Sequence, residues 1–377
     1  MRPLITLFLG LFLTFSCHPT KVTPVATSMY EDVAVLAHDS LKGREVGTEY
    51  EKKAAAYIAK RFQQLSLTPK GTNGFYQDFT FKRSRNPHDK AEYFSGNQET
   101  TDANDKKDLV TGRNVMAFLD NNANHTVIIG AHFDHLGMGG GLNSLYRGDQ
   151  PAIHNGADDN ASGVAMMLFL AQELQKKTAP KNNNYLFIAF TGEEEGLLGS
   201  NYFVKNPTID LKQVTYMINM DMVGRLNEEK KLAVHGVGTA PNFSEVLQEG
   251  KSPLYIVKKE SGIGPSDHTS FYLADIPVLH FFTGQHEDYH RPSDEIDKVN
   301  FEGMNIVSNY IYNIITNLDS KEKLVFQKTK NQSEKAPDFK VTLGVVPDYL
   351  YDKKGMRIDG VSEEKPAQKA GLKKGDV

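Results

Sequence analysis

Apolar residues recur along the chain in two distinct patterns. Between Met29 and Thr68 they repeat at intervals of three and four residues, with a break at Gly43–Gly47, which predicts two helices around a turn. Phe75–Lys82 alternates apolar and polar residues, as a half-buried strand does. Ser84–Asp108 is polar without a sustained period, and we interpret it as a loop.

Short continuous apolar runs in the middle of the chain are typical of buried strands. Helical periodicity lies between or after them, over Val164–Lys176 and Asn300–Leu318. This succession predicts an α/β fold with a mixed, largely parallel sheet, in which a functional site lies at the carboxyl ends of the strands. The five runs are Asn114–Leu119, Thr126–Ala131, Tyr185–Phe190, Thr215–Met220 and Pro277–Phe282.

The first 17 residues form a segment of a different kind. A basic start precedes an apolar run that is too short to span a bilayer, a pattern typical of a secretory signal peptide. Cys17 stands where a bacterial lipoprotein carries its lipid-modified cysteine, although a plain signal peptide with an incidental cysteine is the alternative. We therefore expect an exported protein of the periplasm or outer membrane, with a possible membrane tether through lipidated Cys17 and residues 18–28.

The composition changes again after residue 319. Residues 320–337 are rich in Lys, Glu, Asn and Gln and are predicted to be a linker between a main domain at 29–319 and a last segment at 338–377. Pro366-Ala, Ala370-Gly-Leu and Gly375-Asp make that segment resemble the first part of a PDZ domain. The resemblance implies a partial PDZ-like domain with a peptide or protein partner, bound by strand addition.

Composition restricts the chemistry of any site. The 377 residues are 39% hydrophobic and 24% charged, with a net charge of -4 and no long basic block, so no nucleic-acid partner is expected. The single cysteine excludes an intrachain disulfide and any site built from several thiolates. Metal ligands, if present, must be histidines and carboxylates.

Such side chains follow the predicted strands. Each alone is commonly structural; Asp159 or Asn160, for example, could simply cap the helix that follows. Together, two histidines and three carboxylates can hold two Zn²⁺ ions with one carboxylate bridging, and an uncoordinated glutamate beside a ligand can carry a proton. The segments are His132-Phe-Asp134, Asp158-Asp159, Glu193-Glu194-Glu195, Asp221 and His290.

These motifs, in this order, resemble those of the M28 family of zinc metallopeptidases. The resemblance implies a three-layer α/β/α, phosphorylase/hydrolase-like zinc exopeptidase fold and two Zn²⁺ ions per chain. It implies that the metal ligands are His132, Asp159 as the bridge, Glu194, Asp221 and His290, that Glu193 is the catalytic base, and that Asp134 orients His132.

Two assignments stay open within this set. The run of three glutamates also allows Glu194 as base with Glu195 as ligand, and Asp158 is the second choice for the bridge. His268 is a third-choice ligand that we expect to be a polar loop residue. Four other histidines are expected to be structural or solvent-facing, namely His135, His154, His280 and His286.

The resemblance favours an exported dinuclear zinc aminopeptidase whose substrates are peptides with a free N-terminus. A carboxypeptidase of the same fold is an alternative and would need an arginine clamp, for which Arg225 and Arg291 are available. A single-zinc glutaminyl cyclase is a second alternative. A third is a peptide-binding lipoprotein that uses the PDZ-like segment for recognition.

Overall fold

The computed structural model describes residues 28–83, 92–94, 109–140, 143–247, 252–319, 322–329, 343–347, 351, 354–361 and 365–377. The predicted signal segment, Cys17, the tether up to residue 27 and most of the linker lie outside the described residues, so these interpretations remain predictions. Within the described ranges, no helix is long and apolar enough to cross a membrane.

A mixed sheet of ten strands forms the centre of the molecule. Its order is β3-β2-β4-β6-β5-β7-β10-β8-β9, with β1 paired to β4. The central strands β6, β5, β7 and β10 run parallel, whereas β4 and β8 join them antiparallel. The strands are β1 Thr68–Pro69, β2 Tyr76–Lys82, β3 Glu92–Phe94, β4 Leu109–Leu119, β5 His125–His132, β6 Asn183–Phe190, β7 Val214–Met220, β8 Lys231–His235, β9 Tyr255–Lys259 and β10 Val278–Phe282.

Helices cover both faces of this sheet. Alternate strand residues point to opposite faces, so Val127 and Ile129 pack with α1, α2, α3 and α7, while Ile128 packs with α4 and α6. The predicted three-layer α/β/α fold is therefore confirmed. The helices are α1 Met29–Leu36, α2 Glu49–Gln64, α3 Gly163–Leu174, α4 Leu198–Lys205, α5 Pro241–Val246, α6 His268–Tyr272, α7 Phe301–Asp319 and α8 Pro366–Lys369.

All five predicted apolar runs are strands, but the prediction of a loop over Ser84–Asp108 was wrong in part. Glu92–Phe94 forms the edge strand β3, which pairs antiparallel with β2. An edge strand is held by backbone hydrogen bonds, which need no apolar period in the sequence. The short strands β8 and β9 extend the other side of the sheet and were not predicted.

The strand register determines where the site lies. His132 at the end of β5 is level with Phe190 at the end of β6, and Met220 at the end of β7 is level with Phe281 of β10. The segments that follow these four parallel strands consequently meet at one edge of the sheet.

The last described segment forms two further strands, β11 Val345–Pro347 and β12 Ile358–Val361, which pair antiparallel and precede α8. The PDZ-like domain itself stays a prediction.

Candidate metal centre

Asp159 lies in an irregular turn that leads into α3. The turn spans Ala157–Ser162, and the peptide bond between Asp159 and Asn160 is cis. The Asn160 side chain caps the helix, because its Oδ1 accepts the Gly163 N–H at 3.0 Å while its Nδ2 donates to the Met220 carbonyl at 3.0 Å. With Asn160 serving as the cap, the Asp159 carboxylate is left to face the pocket.

The two oxygens of Asp159 face two different histidines. Oδ1 lies 3.4 Å from His132 Nε2, and Oδ2 lies 3.3 Å from His290 Nε2. This arrangement suits a carboxylate that bridges two cations.

Asp158 is turned away from those histidines. Its Oδ1 accepts the Gly224 N–H at 2.6 Å and the Ser162 hydroxyl at 2.9 Å, and its Oδ2 lies 3.2 Å from His286 Nε2. Both oxygens are occupied by structural contacts. The geometry therefore favours Asp159 over Asp158 for the bridging position.

One group of ligand atoms joins His132, Asp159 and Asp221, all within 4.8 Å of one another. His132 Nε2 lies 3.3 Å from Asp221 Oδ1, and His132 Nδ1 lies 3.3 Å from the backbone carbonyl of Asp134. A proton on Nδ1 donates to that carbonyl, so the Nε2 lone pair faces the carboxylates. Asp134 thus orients His132 mainly through its backbone, while its carboxylate accepts the Glu193 N–H at 3.2 Å.

A second group joins Asp159 to Glu194 and two histidines. Glu194 Oε2 lies 3.2 Å from His290 Nε2, and Glu194 Oε1 lies 2.7 Å from His135 Nδ1. His290 Nδ1 donates to the Asn143 carbonyl at 2.8 Å, which directs Nε2 at the carboxylates. The structure thus brings together Glu194 and His290, two of the ligands that the resemblance implies.

His135 was missed as a site residue. It was expected to be structural or solvent-facing; its side chain is buried, and its ring could hold a metal ion together with Asp159 and Glu194. It lies three residues after His132, just beyond the end of β5, and this spacing was the available signal.

The other two glutamates of the triplet have separate environments. Glu193 lines the pocket, belongs to neither ligand group, and has its pKa raised well above the ordinary value by burial. Glu195 points outward and pairs with Arg83 at 3.3 Å. This geometry favours Glu193 as base with Glu194 as ligand over the alternative pair Glu194 and Glu195.

The buried charges of the centre compensate one another. Burial acts to raise the pKa of Glu194, but the neighbouring His290 brings that pKa down to about 2. Burial likewise opposes ionisation of His132, yet Asp221 and Glu193 raise the pKa of its imidazole well above the ordinary value. The carboxylates thus require nearby positive charge, and the buried N and O donors fit Zn²⁺ in type and number.

Two residues that the sequence analysis did not single out hold the ligand segments in place. Arg44 is fully buried and donates to the carbonyls of Leu36, Phe133, Asn155 and Gly156. The carboxylate of Asp294 accepts the backbone N–H groups of Asp158 and Asp159, each at 3.0 Å.

The ligand groups line one side of a pocket of about 570 Å³, a volume that includes its open mouth. No arginine or lysine is among the described residues that line it. Arg225, one of the two proposed carboxylate clamps, instead pairs with Asp288 at 3.0 Å. The lining residues are His132, Asp159, Glu193, Glu194, Asp221, Met222, His235, Pro265, His280, Phe282, Gln285, Tyr289 and His290.

Four further histidines, His154, His235, His268 and His280, are buried and form separate contacts. His268 and His280 stack with ring centroids 4.4 Å apart, and His235 meets the His280 ring edge-on at 5.4 Å. His154 lies 2.8 Å from the Ser144 hydroxyl. Neither His268 nor His280 belongs to the two described ligand groups.

Comparisons with known proteins agree with this architecture. The model of peptidase family M28 matches residues 114–315. Aminopeptidase YwaD of Bacillus subtilis is 31% identical over 201 residues, which cover 50% of this chain and 44% of that protein. The chain spans about half the length of the curated relatives it matches first.

Two solved structures show the same fold at low identity. BSAP, a zinc aminopeptidase from Bacillus subtilis, is 19% identical, with a TM-score of 0.56 over 83% of this chain and 99% of its own. The Bacteroides thetaiotaomicron glutaminyl cyclase bound to N-acetylhistamine is 17% identical, with a TM-score of 0.58 over 77% of this chain and 97% of its own.

Proposed function

Because the chain belongs to peptidase family M28, we propose that it is a dinuclear zinc aminopeptidase that hydrolyses the N-terminal residue from peptides. One observation carries the proposal. Two groups of ligand atoms share the buried Asp159, whose oxygens face His132 on one side and His290 on the other. The names of the relatives, an aminopeptidase and a zinc aminopeptidase, support the same activity.

His132, Asp221 and Asp159 would hold one ion. Glu194, His290 and Asp159 would hold the other, since His290 Nε2 lies within 3.3 Å of a carboxylate oxygen of each. His135 is close enough to Glu194 either to orient it or to replace His290 in the second group. When bound, two such ions polarise the scissile carbonyl and make hydroxide available near neutral pH.

Glu193 is the group that moves the proton in this proposal. Its carboxyl lines the pocket next to both ligand groups without joining them, and burial raises its pKa, which suits a group that accepts and then donates a proton. The Glu193 N–H is held by the Asp134 carboxylate. Asp134 therefore positions the base Glu193 through its carboxylate and the ligand His132 through its backbone carbonyl.

The charge of the pocket supports an aminopeptidase over a carboxypeptidase. Four carboxylates and no described lysine or arginine line the pocket, an environment that attracts the ammonium group of a peptide and repels a terminal carboxylate. Arg225 is engaged by Asp288, so it is not placed as a clamp. The glutaminyl cyclase alternative rests on a shared fold. Its single zinc ion would occupy one group of ligands and would leave the group of His132 and Asp221 without an ion.

Free-amine and N-acetylated peptides test the proposal when assayed side by side. The purified protein should release the first residue of free-amine peptides only. Chelation with 1,10-phenanthroline should abolish release, and added Zn²⁺ should restore it. Hydrolysis of the N-acetylated series, or release of residues from the carboxyl end, would refute the aminopeptidase assignment. Conversion of N-terminal glutamine to pyroglutamate without peptide hydrolysis would favour the cyclase alternative.

We also propose export and lipidation at Cys17, for which the support is the sequence of the first 17 residues. Cells fed a labelled fatty acid should incorporate the label into the wild-type chain and not into Cys17→Ser. Equal labelling of both chains would refute the proposed tether. The peptide or protein partner of the PDZ-like segment remains a prediction.

A further inference from the structure

Part of the pocket lining belongs to neither group of ligand atoms. Met222, Phe282 and Tyr289 form an apolar cluster there together with the buried Ala233. His235, His280 and Gln285 also line the pocket and add polar atoms, and the His280 ring lies beside those of His235 and Phe282. A substrate whose reacting bond lies at the ligand groups has this part of the pocket left for the side chain of its N-terminal residue.

His280 presents a defined hydrogen-bonding atom to this space. The Asn219 amide donates to His280 Nδ1 at 3.1 Å and to the Ser266 hydroxyl at 2.8 Å. Since Nδ1 accepts that bond, the proton of the neutral ring is on Nε2. In the described part of the chain Nε2 makes no hydrogen bond, and it is not sealed off from the pocket that His280 lines.

The rings around His280 restrict its movement. His268 stacks on one side with an interplanar angle of 3°, and Phe282 lies nearly parallel at 6.2 Å. His235 packs edge-on. The Nε2–H donor is therefore held in one orientation, whereas a donor on a mobile side chain would turn to follow solvent.

We propose that His280 determines the specificity of the pocket, and that its Nε2–H selects N-terminal side chains with an apolar body and a hydrogen-bond acceptor at the end, such as tyrosine and glutamine. Met222 and Phe282 contact the body of such a side chain, and His280 binds its end. Gln285 also lines the pocket, and its Oε1 lacks a partner among the described residues.

The physical reason for selection is the free-energy cost of leaving the His280 Nε2–H without a hydrogen-bond acceptor when a substrate is bound. A leucine, methionine or phenylalanine side chain that fills this space displaces water from Nε2–H and offers no acceptor in return. The side-chain oxygen of tyrosine or glutamine accepts a hydrogen bond from Nε2–H in place of the displaced water. We expect a preference of roughly tenfold in kcat/KM for the residue that carries the acceptor.

This inference rests on the proposed aminopeptidase function. Matched pairs of substrates test the specificity of His280 separately from the aminopeptidase activity. Aminoacyl p-nitroanilides of tyrosine and phenylalanine differ by one hydroxyl, and those of glutamine and methionine are similar in size. The zinc-loaded wild type should favour the first member of at least one pair. Calorimetry should show tighter binding of free tyrosine than of free phenylalanine, which is a readout without turnover. Absence of hydrolysis of all four substrates would refute the proposed function and, with it, this inference.

Variants of His280 and His268 test whether His280 is the group that produces the substrate preference. His280→Leu should remove the preference and raise the rate on the apolar partner, and His280→Gln, which keeps an N–H group, should retain part of the preference. His268→Leu is the matched control, because His268 is buried in the same stack but does not line the pocket. Zinc content and thermal unfolding show whether each variant is folded.

Three results would overturn the inference while leaving the aminopeptidase function intact. They are wild-type hydrolysis without preference in either pair, a preference that folded His280→Leu retains, and a preference that His268→Leu removes equally. If His280→Leu does not fold, the wild-type pairs and His280→Gln decide.

Discussion

Replacement of Arg44 by alanine tests how the ligand segments are held together. Arg44 is fully buried, and its guanidinium donates to the carbonyls of Leu36, Phe133, Asn155 and Gly156. Phe133 directly follows His132, and Gly156 directly precedes the turn that carries Asp159. A single side chain thus connects α1 to the segments that supply two of the ligands, His132 and Asp159.

The contacts set the size of the expected effect. A hydrogen bond to a charged group contributes about 1.5–3 kcal/mol, so four of them give a ceiling of roughly 6–12 kcal/mol. Burial of the guanidinium cation costs desolvation free energy and lowers the Arg44 pKa to about 10. Replacement of Arg44 by alanine removes this desolvation cost, which offsets part of the lost hydrogen bonding. Water entering the space satisfies some carbonyls as well. We expect Arg44→Ala to lose about 3–5 kcal/mol of unfolding free energy.

Urea unfolding of the zinc-loaded protein measures this loss, and the thermal midpoint should fall by roughly 2–4 °C per kcal/mol. Arg44→Lys is the matched control, because it keeps the charge but reaches fewer carbonyls, and it should lie between the wild type and Arg44→Ala. A loss under about 1 kcal/mol for Arg44→Ala would refute the reasoning.

Three further predictions concern the site and its surroundings. Glu193→Gln should keep two zinc ions and lose a factor of roughly 10²–10⁴ in kcat, and activity close to the wild type would show that another group carries the proton. Asp159→Ala should lose zinc, whereas Asp158→Ala should keep zinc and lose about 1–3 kcal/mol of stability through its contacts with Gly224 and Ser162; equal zinc loss would contradict the assignment of the bridge. Burial raises the pKa of Glu51 from 4.5 to about 7, so its contribution to stability is present at low pH and is lost as the pH rises through 7. The unfolding free energy of Glu51→Gln, measured in urea, should therefore rise by about 1 kcal/mol relative to that of the wild type as the pH increases from about 6 to about 8. A difference in unfolding free energy that does not change with pH would exclude the effect.

The central sheet and most of the metal centre could be predicted because their signals are local. Each central strand is a short apolar run, and four of the five predicted ligands lie within four residues of a strand end or a helix start, while His290 follows β10 by eight residues. Parallel strands bring those ends to one edge, so sequence order translates into proximity. His132, Asp159, Glu194, Asp221 and His290 came together for this reason.

The supporting residues could not be predicted in this way. Arg44 resembles any surface arginine near a glycine-containing turn, and its burial depends on carbonyl groups from segments about 90 and 110 residues further along the chain. Asp294 follows the site histidine by four residues, but its role in holding the Asp158 and Asp159 backbone depends on the turn geometry. Strands β3 and β9 lie at sheet edges, where apolar periodicity is weakest.

Titration of the metal-free protein with Zn²⁺ tests the central claim most directly. Calorimetry counts the bound ions, and aminopeptidase activity is followed on the same samples. We predict two ions per chain, with full activity reached only as the second site fills. Saturation and full activity at one ion per chain would contradict a dinuclear centre bridged by Asp159.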